Sequence, residues 1–412
     1  MSTGRRVRQP LGTTPEPELD PGLLASVRRK ALENGGSLDP IALAEAVTEA
    51  GTSWGSTGAA QTLQKLRDEV QGLSVLEQFA SAPGVSDVLV DHRGAVWTDS
   101  SKGLERTGYA FNSPQQVRRL AAHFAAMAGK RLDEASPYVD VTVRNYRIHA
   151  VLPPIAADGP VISIRVKGPK GINLEQLLGD RNSWWGPLLR QIMCHRLNFL
   201  ISGGTGAGKT TLLQAMLALV PENQRIVVIE DSKELSITHE HVISLQTRAA
   251  NVESSGAVTL SDLVVQALRM RPDRLIVGEC RGAEIRDFLA AMNTGHQGAA
   301  GTIHANDPAA IPARLAALGA LAGWDTQATA LQANSALDLL LHVDRDGQGR
   351  RGPVKLSRLV LDDKDRIRVV GLIDATAREP LPEASAEWIG TRFPPQTIND
   401  MRRLLGRHRG SG

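Results

Sequence analysis

Leu197-Asn198-Phe199-Leu200-Ile201-Ser202-Gly203-Gly204-Thr205-Gly206-Ala207-Gly208-Lys209-Thr210-Thr211 joins a short apolar run to a glycine-rich turn, and Leu212 to Leu217 continue as a helix. Gly203 to Thr210 fits G-x-x-x-x-G-K-[ST], between a strand and a helix where phosphate binding needs it. Glycine admits positive φ and lets backbone N–H groups approach an anion, and the following helix adds its positive end. In such a loop Lys209 reaches the β- and γ-phosphates of a nucleotide, and Thr210 offers its hydroxyl to Mg²⁺. The nucleotide-binding candidates are Gly203, Gly204, Thr205, Gly206, Ala207, Gly208, Lys209, Thr210 and Thr211. A glycine-rich turn with a surface lysine is the plainer alternative, and the flanking strand and helix speak against it.

Outside this run the composition is that of a soluble globular chain. It has 412 residues, 42% hydrophobic and 22% charged, enough for two or three domains. A net charge of +3 is too small to imply a polyanionic partner, so direct nucleic-acid binding is not expected. The two cysteines, Cys194 and Cys280, have no metal-like spacing and suit a reducing compartment. No apolar run approaches about eighteen residues and no signal-peptide pattern opens the chain. The expectation is a cytoplasmic protein that meets a membrane only through partners.

Upstream of the loop, residues 1–20 are polar and rich in proline and arginine, a composition expected to be disordered. Residues 21–78 carry helical stripes, Leu23, Leu24, Val27, Leu32 and then Leu63, Leu66, Val70, Leu73, and read as a helical N-terminal module. Residues 79–167 read as a small α/β domain: strands at 85–90 and 95–98, a helix between Ser113-Pro114 and Gly129, and strands at 138–143, 147–152 and 161–166. Gly168-Pro169-Lys170-Gly171 breaks the pattern as a hinge. From 172 to 412 strands alternate with helices, which implies a parallel sheet with its ligand at the carboxyl ends of the strands. Segments 337–343, 354–361 and 367–372 read as a terminal antiparallel set with turns at 346–349 and 362–365.

Two apolar strands end in acids: Ile226 to Ile229 before Glu230-Asp231, and Leu275 to Gly278 before Glu279. Phosphoryl transfer to water needs one carboxylate to organise Mg²⁺ through its waters and another group to orient the attacking water. Singly, each acid also reads as a solvated strand end or a helix cap; beside a phosphate loop the functional reading prevails. Thr294-Gly295-His296 and Thr302-Ile303-His304-Ala305-Asn306-Asp307 flank a further short strand. Each histidine reads either as a phosphate donor or as a satisfied structural residue, and no third ligand supports a metal role.

In this order the pieces resemble the type II/type IV secretion ATPases, most nearly the Tad (Flp) pilus-assembly, CpaF-like branch. The resemblance spans about residues 75–375. Before the phosphate loop it rests on Arg131-Leu132-Asp133-Glu134, Pro137, Val139-Asp140, Arg147 through Pro154, Asp158-Gly159-Pro160 and Ile164-Arg165. After the loop it rests on Glu230-Asp231, Gln246-Thr247-Arg248, Ala267 through Arg274, Val277-Gly278-Glu279 with Arg281, and the block from Met292 to Asn306.

The resemblance implies an α/β fold: a RecA-like P-loop NTPase domain preceded by a smaller, PAS-like α/β domain and a helical N-terminal extension. It implies ATP and Mg²⁺. Glu230 would position the water, Glu279 would serve Mg²⁺ through water as the Walker B acid, and His296 and His304 would form the histidine box. Arg131, Arg147 and Arg165 match arginines that close over the phosphates as arginine fingers, with a surface ion pair as the alternative for each. The four-cysteine zinc module of some members is absent, and Cys280, where many relatives are apolar, reads as a buried thiol.

The function implied is a homohexameric, ATP-hydrolysing motor. It would power pilus assembly or protein secretion through inner-membrane platform proteins, with domain closure absorbed at the hinge. Two alternatives stand beside it. A conjugative, DNA-translocating motor would need a basic stripe and salt-dependent DNA binding. A nucleotide-gated scaffold that barely hydrolyses ATP sits poorly with the intact set of acids.

Overall fold

The computed structural model describes residues 72–100, 102–167, 173–248, 256–345, 351–377 and 380–409, with side chains to 405. The tail at 1–20, the helical module up to residue 71, the hinge at 168–171 and the turn at 346–349 lie outside the described residues. The chain divides between Val166 and Lys167 into two compact units.

The first unit is built on six strands: β1 (Asp87–Val90), β2 (Ala95–Ser100), β3 (Gly103–Ala110), β4 (Tyr138–Val143), β5 (Tyr146–Val151) and β6 (Val161–Val166). Their order is β3-β2-β1-β6-β5-β4 and every neighbouring pair is antiparallel. In β4, β5 and β6 buried residues alternate with exposed or half-buried ones, as in a sheet with one face on a core and one in solvent. Helix α1 (Pro114–Met127) covers the apolar face with Val117, Ala121, Phe124 and Ala125. Pro114 sits in its first turn, where the missing N–H costs nothing. Ser113 holds the cap position but its hydroxyl makes no cap bond; Gln116 Oε1 instead accepts from the Asn112 N–H at 2.9 Å. Strand β3 was not expected from the sequence. It is an edge strand, largely exposed, so no apolar alternation marks it.

The second unit holds β7 (Phe199–Gly203), β8 (Ile226–Glu230), β9 (Val242–Gln246), β10 (Arg274–Cys280), β11 (Ala300–His304), β12 (Leu339–Arg345), β13 (Arg351–Leu361) and β14 (Ile367–Asp374). The order is β14-β13-β12-β7-β11-β10-β8-β9. From β12 to β9 every neighbour is parallel, and the pairs β12–β13 and β13–β14 are antiparallel. The expected terminal antiparallel set is present, β12 with β13 and β13 with β14, and its first strand also joins β7 in parallel, Leu339 beside Phe199. The reason is readable afterwards. Leu339-Leu340-Leu341-His342-Val343 is buried throughout, the mark of a strand covered on both faces, and α8 (Thr326–Ala336) leads into it as a crossover helix.

The other helices are α2 (Leu174–Asn182), α3 (Gly186–Cys194), α4 (Lys209–Leu217), α5 (Leu260–Leu268), α6 (Glu284–Asn293), α7 (Ile311–Leu321), α9 (Glu383–Gly390) and α10 (Pro395–Arg409). They form the outer layers of a three-layer sandwich. Phe199 and Ile201 of β7 point into a core with α2, α3, α4, α9 and α10, and Leu200 points into another with α5, α6, α7 and α8. Each such buried side chain contributes about 1.5–3 kcal/mol. Ile201→Ala would cost about 2–5 kcal/mol and loosen the strand that carries the phosphate loop. Among the described residues no helix is long and apolar enough to cross a membrane.

Candidate nucleotide-binding site

Strand β7 lies between β11 and β12, so the loop that leaves it opens at the middle of the sheet's carboxyl edge. Gly203 is fixed by space: a Cβ there would stand 2.5 Å from the Val343 carbonyl oxygen. Gly206 (φ +70°) and Gly208 (φ +99°) take the left-handed backbone that shapes the cradle. Helix α4 starts at Lys209, and no side chain caps its first-turn N–H groups, which suits them to an anion. Lys209 Nζ folds back on the loop, 2.9 Å from Gly203 O and 2.8 Å from Gly204 O. Ala207 is buried, Thr205 is exposed, and Thr210 and Thr211 are half-buried at the helix start.

Parallel register brings both acids to this edge, since β10 runs beside β11 and β8, and β11 beside β7. Glu230 ends β8 and is only 5% exposed. Its Oε1 accepts from the N–H groups of Glu234 and Leu235, each at 3.0 Å. Burial raises the carboxyl's pKa above the usual glutamate value, with the two N–H bonds pulling the other way. The same packing explains Gly278, where a Cβ would lie 2.7 Å from Glu230 Cγ. Glu279 follows, about a third exposed, with Oε2 3.0 Å from Arg281 Nη2. Arg281 Nε is 3.2 Å from Asp231 Oδ2, so one guanidinium ties together the acidic ends of β8 and β10. Buried Glu284 holds the turn below by accepting from the N–H groups of Arg281 (2.6 Å) and Gly282 (2.8 Å). Sequence reading missed this role of Arg281. Its place two residues beyond Glu279, on the same side of an extended chain, was the available signal.

The histidines part company. His304 ends β11 in register with Gly203, beside the loop. His296 lies just beyond the Thr294 cap of α6, its N–H and ring Nδ1 both 3.3 Å from Ala291 O, and it precedes β11, which puts it at the amino edge of the sheet. Buried Cys280 is inert: burial, then Glu284 and Glu279, push its thiol well up.

In the first unit, Arg147 and Arg165 are direct cross-strand neighbours on the sheet face opposite the core. Arg147 forks onto Asp140, Nε to Oδ1 at 3.1 Å and Nη2 to Oδ2 at 2.7 Å. Burial alone would raise Asp140, but this hydrogen bond and charge carry its pKa below the usual carboxylate range. Arg165 Nε lies 3.3 Å from Asp87 Oδ1. Arg131, in the loop after α1, pairs with Asp133 and is mostly exposed. Ion pairs at a solvent-facing sheet surface hold their partners weakly.

Among the described residues no three of His, Cys, Asp and Glu are grouped to hold a metal. Thr210 and Glu279 offer hard oxygens at the loop's edge of the sheet. That set fits Mg²⁺, which takes one or two protein oxygens and completes its shell with phosphate and water.

Residues 72–346 match the family model described as "Type II/IV secretion system protein". A putative conjugal transfer protein of Mycobacterium tuberculosis is 49% identical over 306 residues, covering 72% of this chain and 87% of the relative. The conjugal transfer protein TrbB of Rhizobium radiobacter is 33% identical over 260 residues, covering 60% and 77%. The ATPase DotB of Yersinia pseudotuberculosis shares the fold, with a TM-score of 0.50 over 82% of this chain and 86% of that one, at 15% identity. With a RecA-like P-loop domain and an intact phosphate loop, the chain belongs to the type II/IV secretion system family and is a P-loop ATPase.

Proposed function

We propose that this protein is the Mg²⁺-dependent motor ATPase of a secretion-type machine. It works as a homohexamer and passes its motion to inner-membrane platform proteins of a Tad/Flp-type pilus or related export system, from the cytoplasmic face and without entering the membrane. The observation that carries the reading is the convergence of the phosphate loop, Glu230 and Glu279 at one edge of a parallel sheet.

The roles follow from the chemistry. The loop N–H groups and Lys209 bind the phosphates of ATP. Thr210 and, through water, Glu279 hold Mg²⁺, which neutralises charge on the β- and γ-phosphate oxygens. Glu230, anchored through Oε1, orients the attacking water with its second oxygen. Arg131, Arg147 and Arg165 engage the phosphates and stabilise the charge that develops there. His304 donates to the phosphates beside Gly203, and His296 relays motion from the other end of β11.

A second reading, a conjugative DNA-transfer motor, is favoured by the descriptions of the relatives from M. tuberculosis and R. radiobacter. The test is purification with ATP and Mg²⁺, followed by mass, turnover and DNA-binding measurements. A hexamer with slow hydrolysis that stops in EDTA is the expected result; a chain that neither assembles nor hydrolyses would sink the motor reading. DNA binding that weakens steeply with salt would favour the conjugative reading over the pilus one.

A further inference from the structure

Strand β12 runs beside β7 with His342 next to Ser202, so its following residues accompany the phosphate loop outward. Arg345 reaches the tip of that loop: Nε and Nη2 donate to Gly206 O at 3.2 and 3.1 Å. A Cβ on Gly206 would stand 2.7 Å from Arg345 Nη2, so glycine there makes room for the guanidinium as well as for the turn. Arg351 faces Arg345 across the β12–β13 ladder and lays its carbons on Gly208, where a Cβ would meet Arg351 Cβ at 3.3 Å and Cδ at 3.4 Å. Like charges directly opposite in an antiparallel pair repel. Here such a pair brackets both left-handed glycines of the phosphate loop. Strand β12 also lies on the side of β7 away from β11, β10 and β8, hence away from Glu230 and Glu279 at the reacting end.

We propose that Arg345, braced by Arg351, is a nucleotide-positioning residue that grips the phosphate chain at its nucleoside-proximal, non-reacting end. This deepens the phosphate-loop reading and rests on it. A guanidinium has five N–H donors in a fixed fork, so Arg345 can hold Gly206 O and a phosphate oxygen together. A contact at that end is the same in ATP, ADP and the transition state, so it sets affinity and leaves the chemical step alone.

The test titrates the full chain with ADP and with ATP by calorimetry, alongside steady-state turnover. Arg345→Ala should weaken ADP and ATP by the same factor, about tenfold or more. Its kcat at saturating ATP should stay within about twofold of wild type. Arg345→Lys, which restores charge without the fork, should recover part of the affinity, and both variants should melt like wild type without nucleotide. Unchanged ADP affinity overturns the inference. So does a loss confined to ATP or to kcat, which would move the residue to the reacting end, or an ADP loss matched by a fall in nucleotide-free melting temperature. Lys209→Ala, run in parallel, separates the failures. If it keeps wild-type ADP affinity the phosphate-loop reading itself is wrong; if it loses affinity while Arg345→Ala does not, only this inference falls.

Discussion

The two sheets carry charge in opposite ways. In the antiparallel sheet the functional candidates stand on the face away from the core: Arg147 and Arg165 lie side by side, each balanced by a partly exposed aspartate. In the parallel sheet, Glu230 is buried at a strand end and held by backbone N–H groups. A sheet covered on both faces has no surface to spare, so its chemistry is confined to the strand ends. A sheet with one open face can place arginines anywhere along it. The parallel site is therefore built into the fold, whereas the arginines are held by side-chain ion pairs on a sheet face.

That contrast is broken most severely by Lys209→Ala. The lysine Nζ rests on the loop carbonyls of Gly203 and Gly204, so its removal should spare the fold and abolish turnover. ATPase assays checked by circular dichroism decide it, and undiminished hydrolysis by a folded variant would remove the phosphate loop from the mechanism. Next in size come Arg147→Ala and Arg165→Ala. If these are arginine fingers, turnover should fall by about 10³. The melting transition should hardly move, because exposed pairs contribute about 0–1 kcal/mol. Wild-type rates in both would leave them as surface ion pairs. Glu279→Gln should be milder, about 10² slower in turnover with ATP still bound. An equal loss of ATP binding would show that its bond to Arg281 holds the fold rather than serves the metal.

The loop was legible in the sequence because its residues are consecutive and each has one chemical reason to be there. Glu230 and Glu279 were legible because apolar runs that end in acids announce buried parallel strands. Strand β9 (Val242–Gln246) and strand β3 escaped because edge strands are exposed and lose the pattern. Arg345 and Arg351 escaped for a different reason. They reach the loop only because β12 pairs with β7 in parallel, and no local spacing connects residue 345 with residue 206. His296 and His304 looked equivalent as two short motifs around a strand, yet the strand itself sets them at opposite edges of the sheet.

The smallest expected effect is the sharpest test of the contrast, because it asks whether the buried carboxylate costs stability. Burial raises the pKa of Glu230 above the 4.5 of an unfolded glutamate. The neutral acid is thus favoured in the folded state. Its stabilising contribution is full below 4.5 and is lost as pH rises through the folded value. Glu230→Gln keeps a carbonyl oxygen for the Glu234 and Leu235 N–H groups but carries no charge at any pH. The variant should therefore melt slightly above wild type at pH 8, and the gap should close as pH falls towards 4.5. Its turnover should collapse even so, while wild-type turnover should lose activity on the acid side at a pH above that of an ordinary glutamate. Melting curves from pH 5 to 8 read the first arm and pH–rate profiles the second. A variant that melts lower than wild type by the same margin at every pH would show that the charge is not penalised, and that this acid is held as lightly as the arginines' aspartates.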